Sequence, residues 1–79
     1  MEKSELIDRL TYIFRTTFDE DALVITDELS AGDVDGWDSL SHMLLIVEVE
    51  RSFSIKFKLK DLNKMKNVGD MIDLIISKI

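Results

Sequence analysis

The sequence contains no cysteine and no proline, only 3 glycines in 79 residues, and one histidine. Without cysteine there is neither a disulfide framework nor a thiolate metal site, so a chain this short must be held together by packing alone. Long apolar runs are missing as well, and nothing approaches the roughly 20 residues needed to cross a bilayer. The opening Met1-Glu2-Lys3-Ser4-Glu5 is too charged and too acidic for a secretory signal, so a cytoplasmic protein with no membrane insertion is expected. The length excludes a multidomain enzyme and leaves one domain over 1–79. A hydrophobic share of 46% against 33% charged residues separates the chain from disordered sequences, which lack the apolar surface to fold.

Bases are also in short supply. Ten Lys and Arg face 16 Asp and Glu, for a net charge of -6, and such a chain repels a phosphate backbone and an anionic membrane surface. No nucleic-acid partner is expected. The imbalance is one-sided: residues 1–40 hold 11 acids and 3 bases, whereas 41–79 hold 5 acids and 7 bases, with Lys56, Lys58, Lys60, Lys64 and Lys66 close together. Electrostatic docking should therefore be sided.

Apolar spacing predicts the elements. Leu6, Leu10, Ile13, Phe14 and Phe18 recur at helical intervals, giving a first helix over about 2–17. From Phe18 to Asp38 the periodicity stops, and Leu23, Val24, Ile25 and Leu29 stand isolated among acids and glycine. A connection this long in a compact domain is expected to be ordered and functional, its apolar residues pinning it across the helix ends. A short helical turn fits inside it. Ser39 stands where an N-cap belongs, and a second helix is expected over about 39–52. Its apolar residues fall into two stripes, Leu40, Met43, Leu44 and Val47 on one and Leu45, Ile46, Val49 and Phe53 on the other. A surface helix needs only one such stripe for the core, so the second implies deep burial or a partner. An extended connector through Ile55 and Phe57, a brief third helix over 59–65 and a last helix over 67–78, capped by Asn67, complete the reading. The expected architecture is all-α: a small bundle of four helices, three long and one short, with a long first loop.

Three chemistries could be built on these residues. A hydrolase built on Ser39 and His42, three residues apart on one helix, has no orienting acid and no oxyanion hole in sight. A calcium loop centred on Asp33-Val34-Asp35-Gly36 puts Ala31 and His42 where the anchoring Asp and Glu are required, so no metal site is expected. The third possibility makes Ser39 an attachment point, since a serine at a helix start offers its hydroxyl where backbone N–H groups favour phosphate.

Gly36-Trp37-Asp38-Ser39-Leu40 resembles the attachment motif of acyl carrier and peptidyl carrier proteins, in which a glycine precedes an Asp-Ser-Leu triplet opening the second helix. Length, acidity, helix order, the long first loop and the apolar helix ending in Phe53 extend the resemblance over essentially the whole chain. It implies a carrier and not an enzyme. Ser39 would bear 4'-phosphopantetheine transferred from coenzyme A by a separate phosphopantetheinyl transferase, with magnesium needed only in that reaction. Asp38 and Leu40 match residues read beside the serine, and the terminal thiol of the arm would carry an acyl or aminoacyl thioester. The resemblance further implies that Leu40, Met43, Leu44 and Val47 face partners, with Asp33 and Asp35 at the rim, and that the protein is a monomer. Those partners would be the transferase, an acyl- or aminoacyl-loading enzyme, and a downstream synthase or transferase.

Two departures stand out. General fatty-acid carriers bear acids early in the second helix, whereas here it reads Ser41-His42-Met43-Leu44, and the lysine cluster follows where such carriers stay acidic. Together with Trp37, this points towards free-standing carriers of a specialised pathway, whether fatty-acid, polyketide or peptidyl. The alternative from another class is a cofactor-free helical adaptor docking through its second helix.

Overall fold

In a computed structural model that describes all 79 residues, the chain forms four helices and no strand: α1 (Lys3–Phe18), α2 (Ser39–Phe53), α3 (Leu59–Asn63) and α4 (Val68–Lys78). The all-α bundle of three long helices and one short one is as the apolar spacing predicts. None of the helices is long and apolar enough to cross a membrane.

The core is made where the stripes of the long helices meet. Leu6, Leu10, Ile13 and Phe14 of α1 pack with Leu45, Ile46, Val49 and Phe53 of α2 and with Val68, Met71, Ile72 and Ile75 of α4. Each such side chain contributes roughly 1.5–3 kcal/mol on leaving water, which is the main source of stability in a chain without cross-links. Only one of the two α2 stripes is consumed. Leu45 and Val49 are fully buried, whereas Leu40 is 73% exposed and Met43, Leu44 and Val47 lie about half in solvent.

Residues 19–38 connect α1 to α2, with one turn of 3-10 helix at Ala31–Asp33. Leu23, Ile25 and Leu29 pack against the core, as their isolation among acids suggested, but Val24 points outward and is 68% exposed. Val34 and Trp37 of the same segment are buried in the core, and backbone bonds add to these apolar contacts. Val68 N–H donates to the Leu29 carbonyl and Gly69 N–H to that of Asp27, both at 2.9 Å, so the loop satisfies two amides that the start of α4 would otherwise leave unpaired. The approach is close: a β-carbon at Gly69 would lie 3.1 Å from the Asp27 carbonyl oxygen, a reason for glycine there. Asn67 caps α4 as expected, its Oδ1 accepting from Asp70 N–H at 2.8 Å.

The third helix ends two residues short of the expected 59–65 because Lys64 and Met65 fold back in turn-type bonds to Asp61 and Leu62. Asp61 fastens this corner. Its Oδ2 accepts from Lys58 N–H at 2.8 Å and pairs with Lys78 Nζ at 3.0 Å, tying α3 to the end of α4. Glu50 secures the preceding connector by accepting Phe57 N–H at 2.8 Å.

Candidate functional site

The turn into α2 is built by three residues. Gly36 adopts φ +85°, a left-handed conformation that glycine enters without steric cost, and the chain then turns into the helix. Asp38 and not Ser39 is the N-cap. Asp38 Oδ1 accepts from Ser41 N–H at 2.9 Å, and Asp38 N–H donates back to Ser41 Oγ at 2.8 Å, a reciprocal capping box. Ser41 Oγ also donates to the Gly36 carbonyl at 2.6 Å, which stitches the turn to the helix. The sequence expectation that Ser39 caps the helix is corrected by this geometry. Asp38 and Ser39 are both good capping types, and the one that wins is the one with a partner three residues on.

That correction frees the serine. Ser39 is the first residue of α2, exposed, and its hydroxyl makes no hydrogen bond within the chain. Asp38 beside it stays ionised to low pH, because the Ser41 backbone N–H donates to its carboxylate and holds the pKa below the usual 3.8.

Beneath the serine lies an aromatic stack. Trp37 is buried, meets Phe14 edge-on at 5.3 Å between ring centres, and lies 5.8 Å from Phe18. Its indole N–H donates to His42 Nδ1 at 3.1 Å, with the two rings stacked at 6.1 Å. The imidazole is half-buried, and burial lowers its pKa from the ordinary 6.5. His42 therefore serves Trp37, and no hydrogen bond joins it to Ser39, so the pair is not arranged as a nucleophile with its base.

Ser39, Asp38, Trp37 and His42 line one side of an open cleft of about 340 Å³, whose other side is Ala31, Leu62, Met65 and Lys66. The spacing of apolar residues gave no sign of this cleft, since it is closed by the α3 end and by a residue pair, Trp37 and His42, that straddles the helix start. Along α2 from the serine, Leu40, Met43, Leu44 and Val47 form a continuous exposed apolar strip. Asp33 and Asp35 are exposed on the turn before it, and Asp33 Oδ2 also accepts from Ser30 N–H at 3.0 Å, closing the 3-10 turn. No three of the chain's acids and its histidine converge in a way that could hold a metal ion.

No protein-family model matches the chain. Among solved structures it is similar to a holo acyl carrier protein from Geobacter metallireducens, determined in solution by NMR. The two are 57% identical and superpose with a TM-score of 0.86, over 91% of this chain and 83% of that one. Identity of that order across nearly the whole length, on the same four-helix frame, means that the chain belongs to the acyl carrier protein family, whose members are carriers and not enzymes.

Proposed function

We propose that the protein carries acyl or aminoacyl groups on a 4'-phosphopantetheine arm attached to Ser39. One observation supports this most directly: the hydroxyl of Ser39 is exposed and unbonded at the head of α2, because Asp38 and Ser41 do the capping between them. A serine that only capped a helix would have its oxygen committed. The residues present fit the arm, since the cleft beside Ser39 offers a cation at Lys66, an imidazole at His42 and apolar walls at Leu62 and Met65. When bound, the arm supplies a terminal thiol for thioester formation, a group that a chain without cysteine cannot provide.

The remaining roles belong to the surface. Asp38 and Leu40 flank the attachment point and are exposed for reading by a phosphopantetheinyl transferase, which takes the arm from coenzyme A with magnesium. The strip of Leu40, Met43, Leu44 and Val47 gives the loading enzyme and a downstream synthase or transferase an apolar face, with Asp33 and Asp35 beside it to set orientation. The paucity of acids early in α2 and the lysines after it favour a dedicated pathway, fatty-acyl, polyketide or peptidyl, in the cytoplasm, served by this single domain acting as a monomer. A cofactor-free adaptor would use the same strip but has no use for the free hydroxyl.

The test is intact mass after incubation with coenzyme A, magnesium and a broad-specificity phosphopantetheinyl transferase, beside Ser39→Ala. The expected result is a gain of one phosphopantetheine that the variant does not show. A folded protein that gains nothing, from this transferase or from one paired with its own gene neighbourhood, overturns the carrier reading in favour of the adaptor.

A further inference from the structure

We propose that His42 and Lys66 form a seat for the phosphodiester joining the arm to Ser39, the imidazole Nε2–H and the Lys66 ammonium donating to its free oxygens and laying the arm into the cleft between α2 and α3. The inference rests on the carrier reading and adds two residues to it.

The tautomer of His42 is the starting point. An indole N–H can only donate, so the nitrogen that it meets, Nδ1, must accept, and the single proton of the neutral ring is then on Nε2. Nε2–H makes no hydrogen bond within the chain. Trp37 thus sets His42 as a donor, and because Trp37 is itself packed against Phe14 and Phe18, the donor is held in place. Burial lowers its pKa and so favours the neutral ring, and protonation would cost the bond from Trp37.

Charge decides the direction. A phosphodiester on Ser39 brings one negative charge next to ionised Asp38, on the half of the chain that already carries a net -8. It is repelled from the acidic turn and drawn to the opposite side of the cleft. There Lys66 is the one cationic residue lining the cleft with Ser39, and its ammonium is in no ion pair within the chain. His42 lies three residues along α2 from Ser39, on the same helical face, so both donors converge on the same opening.

The experiment uses the loaded protein at neutral pH and compares the wild type with His42→Leu, Lys66→Gln, His42→Gln and Lys64→Gln. Histidine and lysine side chains are followed by nitrogen-detected NMR before and after loading. The phosphodiester is followed by its phosphorus resonance, and the arm by relaxation of its own amides. Loading is expected to move the His42 Nε2–H and Lys66 Nζ resonances. The arm amide nearest the phosphate should show an order parameter above about 0.6 in the wild type and below it in His42→Leu and Lys66→Gln. His42→Gln, which keeps an acceptor for Trp37 and a free donor, should restore order, and Lys64→Gln, outside the cleft, should change nothing. Loading without any change at His42 or Lys66, or an arm as ordered in either of the two disabling variants as in the wild type, overturns the seat while leaving the carrier reading intact. Absence of loading overturns both.

Discussion

Replacing Trp37 tests whether packing beneath the attachment turn fixes its shape. The indole is buried against Phe14, Phe18 and His42, so Trp37→Ala removes one of the largest side chains in the core and leaves a cavity. Changes of that kind cost about 3–5 kcal/mol. Within that sum, the edge-on pair with Phe14 accounts for about 0.5–1.5 kcal/mol beyond area, and the bond to His42 for about the same. The whole domain has only about 4–12 kcal/mol to lose, at roughly 0.05–0.15 kcal/mol per residue. Trp37→Ala is therefore expected to melt roughly 12–40 °C below the wild type. Trp37→Phe keeps the ring stack, loses the indole N–H and some area, and should cost about 1–2 kcal/mol, a drop in melting temperature on the order of 5–15 °C. Far-ultraviolet circular dichroism melts at neutral pH measure both, with Tyr12→Ala, whose ring is exposed on α1, as the surface control. If Trp37→Ala melts as late as Tyr12→Ala, the turn is not held from below and the argument for a fixed His42 fails with it.

Other outcomes follow from the same geometry. Asp38→Ala should lower the melting temperature clearly more than Ser39→Ala, which should leave it within a degree or two; the reverse order would return the cap to Ser39. Because the folded pKa of Asp38 is depressed, its stabilising effect is present above 3.8 and is lost as pH falls through the lower folded value, so wild type and Asp38→Ala should converge only in strong acid. Asp61, whose pKa is lowered first by the Lys58 amide and then by Lys78, follows the same sign: Asp61→Asn should be less stable at pH 7 and show a shallower loss of stability below pH 4 in urea titrations. Met43→Glu with Leu44→Glu should keep the wild-type melt, since both side chains are half exposed, yet abolish loading by the protein's own acyl-loading enzyme. Unimpaired loading would show that the apolar strip is not the docking face.

The helices were legible because their burial is periodic. Leu6, Leu10, Ile13 and Phe14 announce α1, and the two apolar stripes over 40–53 announce α2, but periodicity alone does not say which stripe is buried, and only the carrier resemblance pointed to Leu45, Ile46, Val49 and Phe53. The attachment motif was legible as a resemblance, and the family is borne out by the related carrier structure. Finer matters turned on pairings that periodicity does not encode. Which of Asp38 and Ser39 caps α2 depends on Ser41 reaching back, and the Asp-x-x-Ser spacing was the available signal. Val24 is as hydrophobic as Leu23 and Ile25 beside it, but in a loop nothing obliges neighbours to share a side. The link from Trp37 to His42 spans five residues across a helix start, a separation that belongs to neither a helical nor an extended repeat. The cleft needs the end of α3, more than twenty residues on, and so lies beyond local pattern altogether.

The two backbone bonds from the start of α4 to Asp27 and Leu29 join parts of the chain about forty residues apart. They mean that part of the hold on the loop leading to Ser39 comes from a helix that contributes nothing to the cleft. α1 and α2 can pair through their own stripes, whereas these two loop bonds form only once α4 is in place. A chain cut back before Val68 would retain the whole attachment motif and still lose its shape. The C-terminal helix is in this sense the clasp of the N-terminal half, and damage to it would be felt as a failure at the serine.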